Sequence, residues 1–518
     1  MEKKVAIVGA GISGLLACKY VLEIGLHPIV FEAEDDVGGI WRHTIQSTKL
    51  QTPKQDFQFS DFPWDSSIKE DVPHNEQVLD YIKSYANHFS IIPHIKFNSK
   101  VIDIDFVGES NEEINSWKLW SGNNSPFGSK GRWHITIEDT KNFSTEVHKV
   151  EFVILCIGKY SGLPNIPTFP PGKGPEVFKG EAMHSMDYSA LDNDVAAKLI
   201  KDKSVTIVGS GKSALDTAVE CATLNGVAHP CTIIHGTSHW VLPTLSVWGI
   251  SLALLYFNRF AEFLVHKPGE PFFLALVAFL LAPLRWGIGK IVELYLKGNL
   301  PMKKYGIEPK HSFLRDWDAC RIFILPEYFF DKLNEGSIVI KKSKSFWFSK
   351  EGLIVNEEAK PLETDIVIFA TGYKGDQKLK SIFKSPLFQN QIIGSTNVTV
   401  PLYRQIIHPR IPQLAIIGFA ESISNLYSNE IRCKWLAHFL EGNIELPNIK
   451  NMEKDIKIWE DNMTQYVRNW KSCINTCGIW YNDQLCKDMK CNPRRKNTTF
   501  TEIFEPYGPS DYKGLIRK

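Results

Sequence analysis

The sequence predicts an α/β fold made of two parallel-sheet units, to which a helical insertion and a C-terminal cover are added. Three observations predict it. A β-branched apolar strand, a glycine turn and an apolar-periodic helix follow one another near the N-terminus, and the same grammar returns at residues 205–222. Further apolar strands ending in glycine recur along the chain, where open α/β sheets bind ligands. A stretch from about 240 to 310 is unusually apolar and sits apart from both units.

The first unit opens with Val5, Ala6, Ile7 and Val8, a continuous run expected of a strand covered on both faces. Gly9, Gly11, Ser13 and Gly14 follow in a G-x-G-x-x-G turn, then a helix over 15–24 and a strand over 28–31 that ends at Glu32. In this pattern one glycine makes the turn, one lets the backbone approach a diphosphate, and one lets helix and strand pack closely. The helix N-terminus favours negative charge, and the terminal acid accepts from a ribose hydroxyl. Gly38, Gly39 and Trp41 come directly after Glu32 and extend the site. The second unit repeats the plan with Val205 to Val208, then Gly209, Ser210, Gly211, Lys212, Ser213 and Ala214 in G-x-G-x-x-A, then a strand over 232–234. Two such units define two Rossmann-type dinucleotide-binding domains and imply two cofactors exchanging electrons. A 2′-phosphate would call for a cation around 235–239, where no arginine stands; Lys212, His235 and His239 are the substitutes. NADPH and NADH therefore both stay open at this point.

Strands at 151–156, 365–369 and 414–417 each run into a glycine, at Gly158, Gly372 and Gly418. The domains expected are 1–165 and 371–518 as two parts of one nucleotide unit, the latter carrying the C-terminal cover, and 166–370 as the other. The cover is expected to end in a loose tail. Residues 240–258 and 271–284 carry no charge, but the first contains Pro243 and Gly249 and the second is too short to cross a bilayer with ease. Three readings stand: a buried or substrate-covering helical insertion, which is favoured, a membrane-surface contact through 240–290, and a true span. His239, Arg259, Lys267 and Arg285 flank these stretches in a way that suits a surface contact.

Lys+Arg is 59 against Asp+Glu 58, and no basic-aromatic stripe stands out, so nucleic acid is not an expected partner. The first strand starts near Val5, and no secretory leader is expected ahead of it. Of ten cysteines, four lie near the C-terminus at Cys473, Cys477, Cys486 and Cys491 without CxxC pairing. Free thiols in a reducing compartment are the expectation, and no metal site.

Phe178, Gly180, His184 and Tyr188 fit the F-x-G-x-x-x-H-x-x-x-(Y/F) signature of the flavin-containing monooxygenase family. Phe369 to Tyr373 resembles its FATGY linker, Phe59 to Pro63 its FSDFP segment, and Gly38, Gly39 and Trp41 its GGxW. The landmarks run in family order over about residues 1–440. Leu50 to Pro53 and the long insertion resemble a plant branch associated with amine or amino-acid N-hydroxylation.

This resemblance implies FAD, NADPH and O2. One oxygen atom would pass through a C4a-hydroperoxyflavin to a soft nitrogen or sulfur of a small-molecule substrate, with N-hydroxylation favoured over S-oxygenation. It places Gln51 where the family has an asparagine amide beside the flavin, and Gly236 where the family often has arginine. Ser424, Asn425 and Glu430 would approach the flavin, whereas His184 and Tyr373 read as structural. The rivals are a Baeyer–Villiger monooxygenase, whose signature ends in Trp, and an uncoupled NAD(P)H oxidase. A cytoplasmic location is expected, at the endoplasmic reticulum surface if the insertion meets a membrane.

Overall fold

The computed structural model describes residues 3–393, 400–422, 424–466 and 473–515. Two five-stranded parallel sheets organise it. The first has the strand order Leu414–Ile416, Phe152–Leu155, Lys4–Val8, His27–Phe31, Ile95–Lys96. Its central strands are buried on both faces, which is why they read as unbroken β-branched runs rather than alternating ones. Helix Ile12–Glu23 covers this sheet with Leu15, Leu16, Ala17 and Val21, and helix Asn425–Leu440 packs against that helix. The late strand Leu414–Ile416 is the structural reason that chain from beyond residue 371 belongs to the first unit. An antiparallel sheet of Ser99–Val107, Arg132–Asp139 and Thr145–Val150 shares a core with the other face through Ile104, Trp133 and Ile135.

The second parallel sheet has the order Ile338–Lys342, Cys231–His235, Val205–Val208, Ile366–Phe369, Glu181–His184. Helix Lys212–Asn225 covers it through Ala214, Leu215, Ala218 and Ala222. The fold is thus α/β with two Rossmann-type units.

The insertion is buried only in part, which corrects the burial half of the favoured expectation. It comprises a small hairpin of Ser246–Val247 and Ile250–Ser251, helices Leu252–Tyr256 and Arg259–Phe263, and the long helix Phe272–Asn299. On that helix Phe272, Phe273, Phe279 and Leu280 are 83%, 70%, 69% and 64% exposed. It is the one described helix long and apolar enough to cross a membrane by length and composition.

The four flanking cations also differ from expectation, because each turns inward. Arg259 binds Asp483 and Glu502, Arg285 binds Asp318, Lys267 donates to the carbonyls of Glu262 and Val265, and His239 faces Asp316. Acids distant in sequence hold Arg259, Arg285 and His239, and local carbonyls hold Lys267, since an unpaired buried cation is far more costly than a paired one.

Two further expectations are corrected. Cys320 and Cys473 form a disulfide, while the eight remaining cysteines are free thiols. Their Cα atoms, 6.0 Å apart, are brought together by packing of elements 153 residues apart in sequence. The chain end is not loose up to residue 515: Tyr507, Tyr512 and Leu515 are buried in the first core; residues 516–518 lie outside the described residues.

Candidate functional site

The two glycine turns are built alike. Gly9 has φ +100° and Gly209 φ +154°, which glycine adopts without strain. The Gly9 N–H donates to Phe31 O at 2.8 Å, and the Gly209 N–H to Ile234 O at 2.9 Å. A side chain at either position would strike the carbonyl at the end of the neighbouring strand: a Cβ on Gly9 would lie 2.7 Å from Cys156 O, and one on Gly209 2.4 Å from Ala370 O. Each turn is therefore pressed against the carboxyl edge of its sheet, the side from which such sheets hold ligands.

Each turn then opens on a helix whose first residues carry no side-chain cap. The N-terminal N–H groups of such a helix lack intrahelical partners and suit an anion. Gly14 serves packing, since a Cβ there would lie 1.8 Å from Gly9 O. Gly11 differs: its nearest atom, Gly39 Cα, would lie 3.5 Å from a Cβ. Gly211 has only Phe323 Cζ, at 3.7 Å. Both second glycines thus keep open a surface that a side chain would fill. The Gly38 N–H donates to Ala10 O at 3.2 Å and folds the second glycine pair onto the first turn. Trp41 follows with its ring edge-on to Phe57, centroids 5.9 Å apart.

Glu32 sits at the strand end, buried, with its carboxylate accepting from the N–H groups of Ala10 at 2.6 Å and Glu34 at 3.0 Å. Ser13 faces away from the turn toward helix Asn425–Leu440, where Asn429 donates to its hydroxyl at 3.2 Å. Ser210 is half-buried in the second turn and Ser213 is exposed.

The segment after Gly39 ties the two units together. Ile45 packs in the second core, and Ser47 and Thr48 donate to Glu220 and Asp216 on helix Lys212–Asn225, each at 3.1 Å. Lys49 pairs with Glu327 at 2.6 Å. Gln51 follows as an exposed side chain between buried Leu50 and Thr52. Sequence reading missed this strap, although the polar run 46–49 after the second glycine pair is the signal for it.

Several residues proposed as site members have other occupations. Lys212 is bound to Asp216, one helical turn away, rather than offered to a phosphate. His239 and His311 flank Asp316 at 3.3 and 2.8 Å. Burial pushes the Asp316 carboxyl up, but these contacts and the Trp240 N–H outweigh it and hold it below its ordinary value. Ligand atoms of the trio lie within 4.8 Å of one another, a spacing that could take a divalent ion. His235 is buried, and burial, with Lys342 nearby, keeps it below the usual histidine range.

A lysine that sequence reading passed over stands beside Gly236. A Cβ on Gly236 would lie 3.8 Å from Lys344 Cγ, and Lys344 is exposed. It follows the strand Ile338–Lys342 that pairs with Cys231–His235, so only the strand order brings it there.

Glu430 is buried among protein partners. It accepts from Tyr20 and Ser60 and pairs with Lys434 at 3.1 Å. Ser424 donates to Asp56 O, and Asn425 accepts from the Ser422 N–H at 2.8 Å. His184 Nδ1 accepts from the Met186 N–H at 3.1 Å, and its ring packs edge-on to Tyr373 at 5.2 Å.

The family model described as flavin-binding monooxygenase-like matches residues 2–503. The chain belongs to this flavin-binding monooxygenase family. It is a flavin monooxygenase and so an oxidoreductase, in agreement with the resemblance carried by its motifs. It is 40% identical over 523 residues to "Probable flavin-containing monooxygenase 1" of Arabidopsis thaliana, covering 99% of this chain and 96% of that one. In fold it is similar to the S-allyl-L-cysteine S-oxygenase of Allium sativum, with TM-score 0.57 and 17% identity over 95% of this chain and 89% of that one. It is also similar to the NADP+-bound cyclohexanone monooxygenase of Rhodococcus sp. Phi1, with TM-score 0.66 and 16% identity over 94% and 97%. In the family member described here, the two glycine turns and the strap between them are the parts suited to a flavin and a second nucleotide.

Proposed function

We propose that this flavin monooxygenase uses FAD and NADPH to transfer one oxygen atom from O2 to a nucleophilic nitrogen or sulfur of a small molecule. N-hydroxylation of an amine or amino acid is favoured over S-oxygenation. The observation that carries the reading is the pair of like-built turns joined by the strap from Gly39 to Gln51. The bound coenzymes would supply the hydride and the oxygen-activating chemistry.

The chain's own part is to bind, orient and shield. Gly9, Gly11, Gly38, Gly39 and Trp41 line the turn that fits the FAD diphosphate, with Gly14 packing the helix close behind it and Glu32 placed for the ribose. Gly209, Ser210 and Gly211 line the turn for the nicotinamide nucleotide. The open Cβ positions at Gly11 and Gly211 support this fit, because bare backbone can come up to a diphosphate there. Lys344 takes the place of the missing arginine for the 2′-phosphate, which supports NADPH over NADH. Gln51, at the end of the strap, is the amide assigned to the flavin side.

The test is NADPH consumption by the FAD-loaded enzyme over amines, amino acids, oximes, thioethers and ketones, with product masses and hydrogen peroxide measured together. One added oxygen on an amine or amino acid is the expected result. Peroxide alone with every compound would replace the reading by the oxidase, and an ester from a ketone would replace it by the Baeyer–Villiger reaction.

A further inference from the structure

Two histidines and a carboxylate meet at the neck of the insertion, where the chain leaves the second unit and returns to it. His239 follows the strand Cys231–His235, and Asp316 lies on the short helix Phe313–Asp318, 77 residues further on. His311 stands just ahead of that helix. Beside them the parallel pair Val241–Leu242 and Phe323–Ile324 holds the outgoing and returning chain together. Asp316 is 3% exposed, whereas His239 and His311 are 13% and 17% exposed. The carboxylate is thus sealed in, and the two rings leave a way in for a small solute.

The contacts are not those of a carboxylate simply neutralised by histidine. His239 Nδ1 is 3.3 Å from Oδ1 and 3.3 Å from Oδ2, long and shared rather than directed at one oxygen. His311 Nε2 is buried 2.8 Å from Oδ2 and yet makes no hydrogen bond. Ligand atoms at about 2.0–2.2 Å from a tetrahedral zinc stand about 3.3 Å from one another. Here one ligand atom from each residue lies within 4.8 Å of the other two, so side-chain rotation suffices to close them on an ion. The backbone around them is already fixed. The Trp240 N–H donates to Asp316 Oδ2 at 2.9 Å, and its Nε1 donates to His311 O at 2.9 Å. Bonds of this outer kind orient metal ligands.

We propose that His239, His311 and Asp316 bind a divalent transition-metal ion of the zinc class, with solvent completing its coordination, and that the ion clamps the neck of the insertion. Two imidazoles and one carboxylate select such an ion over magnesium or calcium, which take oxygen ligands. Phe323 links the clamp to the second glycine turn: its ring is edge-on to His239 at 5.9 Å, and its Cζ would lie 3.7 Å from a Cβ on Gly211. Arg321, whose N–H donates to Asp316 O at 2.8 Å, brings a positive charge within reach of the carboxylate. The affinity expected is therefore micromolar, weaker than that of a closed four-ligand zinc site. Of the free thiols only Cys491 is even partly exposed, so cysteine competes little for the ion.

The experiment is titration of the full-length, flavin-loaded enzyme, first treated with chelator, with Zn2+ by calorimetry and with Co2+ by visible absorption beyond the flavin bands. The wild type should bind one Zn2+ per chain, and the ion should raise its melting temperature. His239→Ala and His311→Ala should each weaken binding about tenfold or more, while flavin content and the metal-free melting temperature stay unchanged. His239→Cys should keep binding and add a sulfur-to-cobalt charge-transfer band that the wild type lacks, which a merely structural histidine would not do. If these variants do not fold, protection of wild-type His239 and His311 from diethyl pyrocarbonate by Zn2+, read by mass spectrometry, decides instead. No binding of Zn2+, equal affinity of the alanine variants, a cobalt spectrum of His239→Cys without the sulfur band, or absence of protection overturns the proposal.

Discussion

Gly11→Ala separates a glycine kept for a ligand from one kept for the fold. Gly11 has φ −74° and ψ −176°, an ordinary extended conformation for any residue, and its new Cβ would meet Gly39 Cα at 3.5 Å, a normal contact. The apoprotein should therefore fold with a stability change within about 1 kcal/mol, the scale of an Ala at a helix N-cap. The added methyl would stand where the diphosphate must approach the N–H groups. Loss of one charge-assisted hydrogen bond of about 1.5–3 kcal/mol weakens FAD binding roughly 10- to 200-fold.

Gly14→Ala provides the contrast. Its Cβ at 1.8 Å from Gly9 O forces backbone apart and should cost about 3 kcal/mol or more in the apoprotein itself. The assay pairs FAD titration of apoprotein, followed by flavin fluorescence, with thermal unfolding of the same apoprotein. A folded Gly11→Ala protein that binds FAD with wild-type affinity would refute the assignment of the first turn. Equal unfolding by both variants would refute the division of labour between them.

Three further predictions follow from the same geometry. Gly211→Ala should retain FAD while flavin reduction by NADPH slows about tenfold or more at fixed nucleotide concentration; unchanged stopped-flow reduction removes the second turn from the proposal. Lys344→Ala should raise the Kd for NADP+ by about tenfold with little change for NAD+, measured by titration; parallel changes for both nucleotides would deny Lys344 its phosphate. Burial pushes the Asp56 carboxyl up to about 6 from 3.8. The folded state then binds the extra proton between those values, so this group's effect on stability worsens as pH rises from about 4 through 6 and stays at its worst above. Asp56→Asn should abolish that step and gain up to about 3 kcal/mol at pH 7.5, less for solvent screening. Denaturation curves at pH 4.5 and 7.5 that shift equally for wild type and variant would contradict it.

What the sequence revealed is what local chain dictates. Strand, turn and helix are contiguous around Gly9–Gly14 and Gly209–Ala214, so period and glycine spacing sufficed to find both units. Glu32 was readable because a strand end is a fixed offset from the turn. The strap contacts of Ser47 and Thr48, the place of Lys344 beside Gly236 and the Cys320–Cys473 bond each depend on elements far apart in sequence, and no local pattern encodes them. The same reason explains the misread cations. Whether Arg259 faces solvent is decided by Asp483 and Glu502, more than 200 residues later. Apolar composition marked the insertion as special, but composition alone does not distinguish a buried helix from one left exposed.

The order in which the two sheets are completed bears on how the chain matures at the ribosome. Every strand of the second sheet has emerged by Phe369, so that half can close early. The first sheet must wait for Leu414–Ile416, and until then Phe152–Leu155 is a bare hydrophobic edge with unpaired N–H and C=O groups, the sort of template on which nascent chains aggregate. A premature stop anywhere between these two strands would release a completed second sheet joined to an open first one, making the first unit the later and more chaperone-dependent of the pair.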